Sequence, residues 1–422
     1  MNRKITLITI ISLLLSSFAF MQFFTSTASD IESRPEQETD NNEEREKDNY
    51  PEIEGIISEY DKAITEEIQN SGTVGSAIAI VYKDQIAFLK CFGVRRAGED
   101  NPVDENTIFR LASVSKTITG VLAGMLTSEN VIGLDDKVAD YIPGFRLKSS
   151  ECSRELTLRN ILSHTSGLAP HAYDNLAEDK MPLNNIIKVL DRVNISSKPG
   201  KIYSYQNVMF SLIDPVIEAK TLKSYSELVR EKVFIPFGMA NASTDFQSFK
   251  NNNNKAFPHV MRNGCYTPVR LNDRYYCTAP AAGVNASISD MANFLLALLD
   301  TEKNESVSKI HQTVFTPQVV TGGKMRNWDN IDSRHYAIGW RIIGYQGREV
   351  AYHGGYVQGY RAEIALCRNE KAGIVYLSNS PHLVASKCIP AFLNLFFNYL
   401  DNNPNPVFTS IDETAAPQKL SQ

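Results

Sequence analysis

Apolar, strand-like runs stand near both ends of this chain, with a long helix-patterned stretch between them. Residues 76–82 (Ser-Ala-Ile-Ala-Ile-Val-Tyr) and 85–91 flank Lys83 and Asp84, the pattern of a β-hairpin. Residues 336–343, 348–352, 360–366 and 373–377 read as further strands in the last third. A helical run at 57–69 precedes the hairpin, and another at 384–399 follows the last strand. The middle carries helical segments at 156–163, 184–193, 208–219, 225–233 and 289–299, punctuated by Pro, Gly and Asn clusters. Unpaired strands leave backbone groups unsatisfied, so the two ends are expected to share one sheet. The spacing predicts an α+β fold: an antiparallel sheet flanked by helices, built from N- and C-terminal segments, with a mostly helical lobe inserted at about 146–330.

The outer segments read differently. Arg3 and Lys4 precede an uncharged apolar run at 5–24 and then small residues around Ala28, which predicts a signal peptide over 1–28. The run is also long enough to span a bilayer, so an uncleaved membrane anchor is the alternative. Either way the body is expected to be exported, periplasmic or secreted. Residues 29–52 are dense in Asp and Glu and read as a solvated spacer. The folded domain is placed at 53–402, with a polar tail at 403–422. A net charge of −5 and the lack of any basic block argue against nucleic acid as a partner. No glycine loop for phosphates, His-Glu-x-x-His or paired Cys-x-x-Cys is present, so no cofactor and no metal are expected. Of the six cysteines, Cys265 and Cys277 flank a loop-like segment and are the best pair for a local disulfide. Cys91 and Cys367 read as single thiols in strands.

Three fragments carry chemistry. Ser113 and Lys116 are three residues apart at the start of a helix-patterned run, which puts hydroxyl and amine on one face. A serine needs a base within reach to act as a nucleophile, and a lysine serves if burial lowers its pKa. Tyr205 and Asn207 follow a Pro-Gly turn. A phenol beside a lysine cation loses its proton more readily and could relay it, while an amide holds both an amine and a substrate. His353, Gly354, Gly355 and Tyr356 close an apolar strand, where two glycines let a substrate backbone approach. The backbone N–H groups of Ser113 and Tyr356 form a candidate oxyanion hole, and His353 offers charge or a hydrogen bond to a substrate carboxylate or carbonyl. Taken singly, each fragment has a bland reading: a chance spacing, a helix cap, a turn. His164 beside Ser166 invites a Ser-His pairing, but the glycine that precedes a nucleophile elbow is missing, so a packed position is expected.

In their order, about 90 and 150 residues apart, the fragments resemble the serine β-lactamase and penicillin-binding protein family, specifically its class C-like branch. Residues 107–117 (Thr-Ile-Phe-Arg-Leu-Ala-Ser-Val-Ser-Lys-Thr), 134–138, 161–168, 281–290 and 337–340 are similar to recurrent stretches of that family, and the resemblance covers about 55–400. It implies a β-lactamase/transpeptidase-like fold with Ser113 acylated, Lys116 as its base, Tyr205 as proton shuttle and Asn207 as anchor. His353, Gly354 and Gly355 stand where the family has a Lys-Thr-Gly motif. His-Gly-Gly is more similar to the family's esterases and D-amino-acid peptidases than to its true β-lactamases. The expectation is an exported serine hydrolase forming an acyl-enzyme with small esters, amides or D-amino-acid peptides. A class C-like β-lactamase is the alternative within that class, and a non-catalytic ligand-binding envelope protein the alternative outside it. The expected partner is a small-molecule or peptide substrate. Oligomeric state, and whether Lys116 or Tyr205 takes the first proton, stay open.

Overall fold

The computed structural model describes residues 50–301 and 305–403. The expected leader at 1–28, nearly all of the acidic spacer and the tail from 404 lie outside the described residues. Among those described, no helix is long and apolar enough to cross a membrane. The last residues assigned to the spacer, Pro51 and Glu52, instead open a helix, Pro51–Ser71. Proline suits that place, since the first helical turn has no use for its missing N–H.

Both ends of the chain do enter one sheet. Its strands are β1 (Gly75–Tyr82), β2 (Gln85–Gly93), β7 (Val319–Val320), β8 (Ile331–Tyr336), β9 (Arg341–Tyr345), β10 (Arg348–Val357), β11 (Tyr360–Cys367) and β12 (Ala372–Ser378). They lie in the order β2-β1-β12-β11-β10-β9-β8-β7, and every neighbouring pair is antiparallel. Short pairs of β3 (Phe109–Arg110) with β6 (Asn285–Ala286), and β4 (His259–Arg262) with β5 (Cys265–Pro268), stand apart from it.

β1 is buried along its whole length, because it is covered on both faces. Ala77, Ala79 and Val81 point into a core shared with the helical body, while Ile78, Ile80 and Tyr82 point into a second core. The second core is closed by the helices Pro51–Ser71 and Val384–Asn402, joined by the Tyr60 hydroxyl donating to the Cys388 carbonyl at 3.1 Å. The helical body begins at helix Ser115–Ser128, earlier than expected, and ends with helix Glu305–Phe315, which packs on it.

Two further expectations fail. Residues 336–343 are not one strand: β8 ends at Tyr336, the chain turns through 337–340, and β9 starts at Arg341. The turn is apolar because it is buried against helix Ser115–Ser128. A Cβ on Gly339, whose φ is +76°, would lie 2.1 Å from the Lys116 carbonyl oxygen, so only glycine fits there. The expected Cys265–Cys277 disulfide is also absent, and all six cysteines are free thiols. Cys265 is exposed in β5, whereas Cys277 lies in a turn with its thiol directed to the Ala177 carbonyl.

Candidate active site

Ser113 sits in a single 3-10 turn, Ala112–Val114, that runs directly into helix Ser115–Ser128. A 3-10 turn eclipses residues three apart, so the spacing brings Lys116 beneath Ser113 although the helix proper starts later. Ala112 takes a left-handed φ of +48°, a conformation that costs a non-glycine residue about 1–2 kcal/mol and bends the chain sharply before the hydroxyl. The helix is buried from Ser115 to Leu126, which fixes the amine in place.

The three fragments converge. The Lys116 Nζ lies 3.3 Å from the Ser113 Oγ and donates to the Asn207 Oδ1 at 2.7 Å and the Ala281 carbonyl at 2.9 Å. The Tyr205 hydroxyl donates to the Ser113 Oγ at 2.7 Å. Asn207 donates in turn to the Asp174 carboxylate at 2.8 Å, which also meets His171 at 2.8 Å. Asp174 had no motif of its own in the sequence and Ala281 only opened the stretch 281–290, so the contacts of both with Asn207 and Lys116 come from the structure.

Burial holds the Lys116 amine well below the usual lysine range, opposed by the Asp174 charge and reinforced by Arg341. Burial also pushes the Tyr205 phenol above the usual tyrosine range, against the pull of its bond to Ser113. Both shifts disfavour the charged forms, so burial favours a neutral amine and a neutral phenol over a phenolate beside an ammonium. The hydrogen bonds balance in that state. Tyr205 donates to the Ser113 oxygen and the amine to Asn207 and Ala281, which leaves a neutral amine's free pair directed at the Ser113 hydroxyl 3.3 Å away.

His353 does not face a ligand as a cation. It is 1% exposed, with one ring nitrogen 2.9 Å from the Gly354 carbonyl and the other 3.0 Å from the Tyr336 hydroxyl. A carbonyl only accepts, so that first nitrogen carries the proton. Burial, with Arg341 and Lys116 nearby, holds the ring well below the usual histidine range. Its role is to tie β10 to Tyr336 in β8. His164 is packed as expected, 1% exposed with its ring 4.3 Å from that of Tyr205 and accepting from the Gln206 amide at 3.3 Å.

β10 runs on through His353, Gly354, Gly355 and Tyr356, past its last partner in β9 at Tyr352. The turn holding Ser113 packs on it at Gly355: a Cβ there would sit 2.4 Å from the Leu111 carbonyl oxygen and 3.1 Å from the Ser113 nitrogen. Tyr356 is 57% exposed at the mouth of the site. Beside Gly354, its partner across the ladder, Glu363, is buried, bonded to Tyr352 and paired with Arg361 at 2.8 Å. Burial pushes the Glu363 carboxyl up to about 7.

A cleft of about 560 Å³ opens beside these residues, lined by Tyr205, His353, Gly354, Gly355 and Tyr356 and by residues the motifs did not reveal, among them Arg341. Arg341 directly follows the Ala-Ile-Gly-Trp stretch, so its place was legible in the sequence and its direction was not. Among the described residues, no cluster of acidic, histidine or cysteine side chains could hold a metal ion.

The family model for β-lactamases matches residues 60–395 of this chain. A β-lactamase-like protein of Dictyostelium discoideum is 25% identical over 345 residues, which are 78% of this chain and 60% of that protein. A penicillin-binding protein of Bacillus subtilis is 26% identical over 75% of this chain and 70% of its own length. The chain thus spans well under the full length of such relatives. A solved structure, the octameric penicillin-binding protein homologue of Pyrococcus abyssi, superposes with a TM-score of 0.70 at 20% identity, covering 81% of this chain and 77% of the other, and shows the same fold. With most of the folded chain inside the family match, this protein belongs to the β-lactamase family of serine hydrolases.

Proposed function

We propose that the protein is an exported serine hydrolase that cleaves small esters, amides or D-amino-acid peptides through a covalent acyl-enzyme on Ser113. The observation that carries this reading is the contact of one serine oxygen with both a phenol at 2.7 Å and a buried, charge-poor amine at 3.3 Å. Lys116 takes the serine proton as Oγ bonds to the substrate carbonyl carbon. The backbone N–H groups of Ser113 and Tyr356 hold the oxyanion, and Tyr205 gives its proton to the leaving group as the carbonyl–heteroatom bond breaks. The Lys116 proton then restores Tyr205; water bonds to the ester carbonyl carbon as it gives a proton to the same pair, and the pair returns that proton to the Ser113 Oγ as the acyl–Oγ bond breaks and the acid leaves. Asn207, held from behind by Asp174, keeps Lys116 in register.

Vigorous β-lactam hydrolysis is the weaker reading. The histidine in place of the family's lysine is turned inward and neutral, and Gly354 has no hydroxyl to offer. A purely ligand-binding role leaves unexplained why a lysine is held fully buried with its charge disfavoured, at a cost of several kcal/mol. Export rests on the basic and apolar residues at 3–24 and is checked by fractionation of producing cells. The mechanism is tested by intact mass after a fluorophosphonate probe: one adduct is expected, mapped to Ser113 and lost in Ser113→Ala. Unchanged ester turnover in Ser113→Ala would sink it.

A further inference from the structure

His171 lines the cleft beside Tyr205, and the mechanism above gives it no task. Its backbone is left-handed, with φ at +58°, and its amide donates to the Tyr205 carbonyl at 2.8 Å. Tyr173, two residues on, is left-handed as well at +61° and leads into the short helix Asp174–Glu178. Each such conformation costs a non-glycine residue about 1–2 kcal/mol, and one turn adopts it twice. The turn sets the His171 ring 5.6 Å from that of Tyr205, with Nδ1 2.8 Å from the Asp174 carboxylate. An ionised carboxylate only accepts, so Nδ1 carries the proton and Nε2 of the neutral ring offers a lone pair. The side chain is 63% exposed, and among the described residues Nε2 bonds to nothing. Asp174 is itself pinned, because the same oxygen accepts from Asn207 at 2.8 Å. One carboxylate thus fixes both the amide that positions Lys116 and an imidazole open to the cleft, as the aspartate of a hydrolytic triad fixes its histidine.

We propose that His171 is a further catalytic residue, acting in the second half-reaction alone: its Nε2 accepts a hydrogen bond from the water that attacks the acyl-enzyme. This rests on the serine-hydrolase reading above. The water gives one proton to the Lys116–Tyr205 pair as its oxygen bonds to the ester carbonyl carbon. Its other hydrogen needs an acceptor that aims the oxygen lone pair at that carbon. Asn207 has both ends of its amide engaged, by Lys116 and Asp174, and the ring nitrogens of His353 are taken up by the Gly354 carbonyl and the Tyr336 hydroxyl. His171 is open. The hydrogen it holds stays with the acid when the acyl–Oγ bond breaks and the pair returns its proton to Ser113. Acylation involves no water, so the two half-reactions should respond differently to the loss of this ring.

The test follows p-nitrophenyl acetate in the full chain. The burst of p-nitrophenolate reports acylation, and the decay of acetylated Ser113, read by intact mass, reports hydrolysis. His171→Asn suits the left-handed backbone and can still meet Asp174, but its amide is too short to replace Nε2. It is expected to slow the decay by about 30-fold or more, so that acetyl-enzyme accumulates, while acylation stays within about 3-fold. KM should fall together with kcat. His171→Gln, whose amide oxygen reaches farther, should restore part of the decay rate. Decay within about 3-fold of the parent in His171→Asn, or equal losses in acylation and decay in both variants, would overturn the role and leave the hydrolase intact. Absence of both acetylated Ser113 and Ser113-dependent turnover in the parent would remove the hydrolase reading, and this role with it.

Discussion

Lys116 and Asp174 set the pH behaviour. In the proposed mechanism Lys116 acts as a neutral amine, so kcat/KM is expected to rise with pH through the Lys116 pKa, which burial places below the ordinary lysine value of about 10.4. Tyr205 must stay protonated and its phenol is pushed upward, so no descending limb is expected before the ordinary tyrosine range. His353, buried and neutral, should add no limb near pH 6 to 7. Asp174 lies behind Asn207 and its negative charge favours the ammonium form. Asp174→Asn is therefore predicted to move the ascending limb to lower pH by roughly half a unit to one unit. A limb that stays put or moves upward would show that the carboxylate does not reach the amine electrostatically. The nucleophile and its partners were legible from residue types and spacing. Which partner is charged was not, because desolvation and the neighbouring charges of Asp174 and Arg341 decide that, and the spacing of the motifs shows neither.

Strand β10 is the element on which the site depends. Its odd-numbered residues face the helical body and its even-numbered ones face the outer helices, so Gly355 meets the Ser113 turn while Gly354 meets Glu363. Gly355→Ala would force a methyl to 2.4 Å from the Leu111 carbonyl oxygen and push strand and turn apart. Because oxyanion donors work only at close range, the loss expected in kcat is about 100-fold or more, with the fold retained by circular dichroism. A variant within about 3-fold of the parent would mean the strand does not help bind the oxyanion. At this scale the clearest miss is at 336–343. An apolar turn buried on a helix has the composition of a strand, and only the position of Gly339 against the Lys116 carbonyl reveals the break.

Across the whole molecule, the N- and C-terminal segments hold each other. β1 lies between β2 and β12, and the helix before it packs on the helix after β12, with Tyr60 and Phe392 edge to face at 5.7 Å. Phe392 is fully buried in the outer core, away from the cleft. Phe392→Ala is predicted to cost about 3–5 kcal/mol in urea unfolding, while kcat/KM of the folded protein stays within about 2-fold. A cost under about 1 kcal/mol would mean the outer helices do not stabilise the sheet. The sequence by itself determined the sheet shared by both chain ends, the helical body, and the serine, lysine, tyrosine and asparagine that meet in it. Those features depend on hydrophobic period and on residue chemistry, both local properties of the chain. Only the tertiary structure decided that His353 is inward with its charge disfavoured, that burial lowers the Lys116 pKa and raises that of Tyr205, that the cysteines stay apart, and that Arg341 lines the cleft. These depend on desolvation and on which distant side chains end as neighbours, and no spacing along a chain encodes either one.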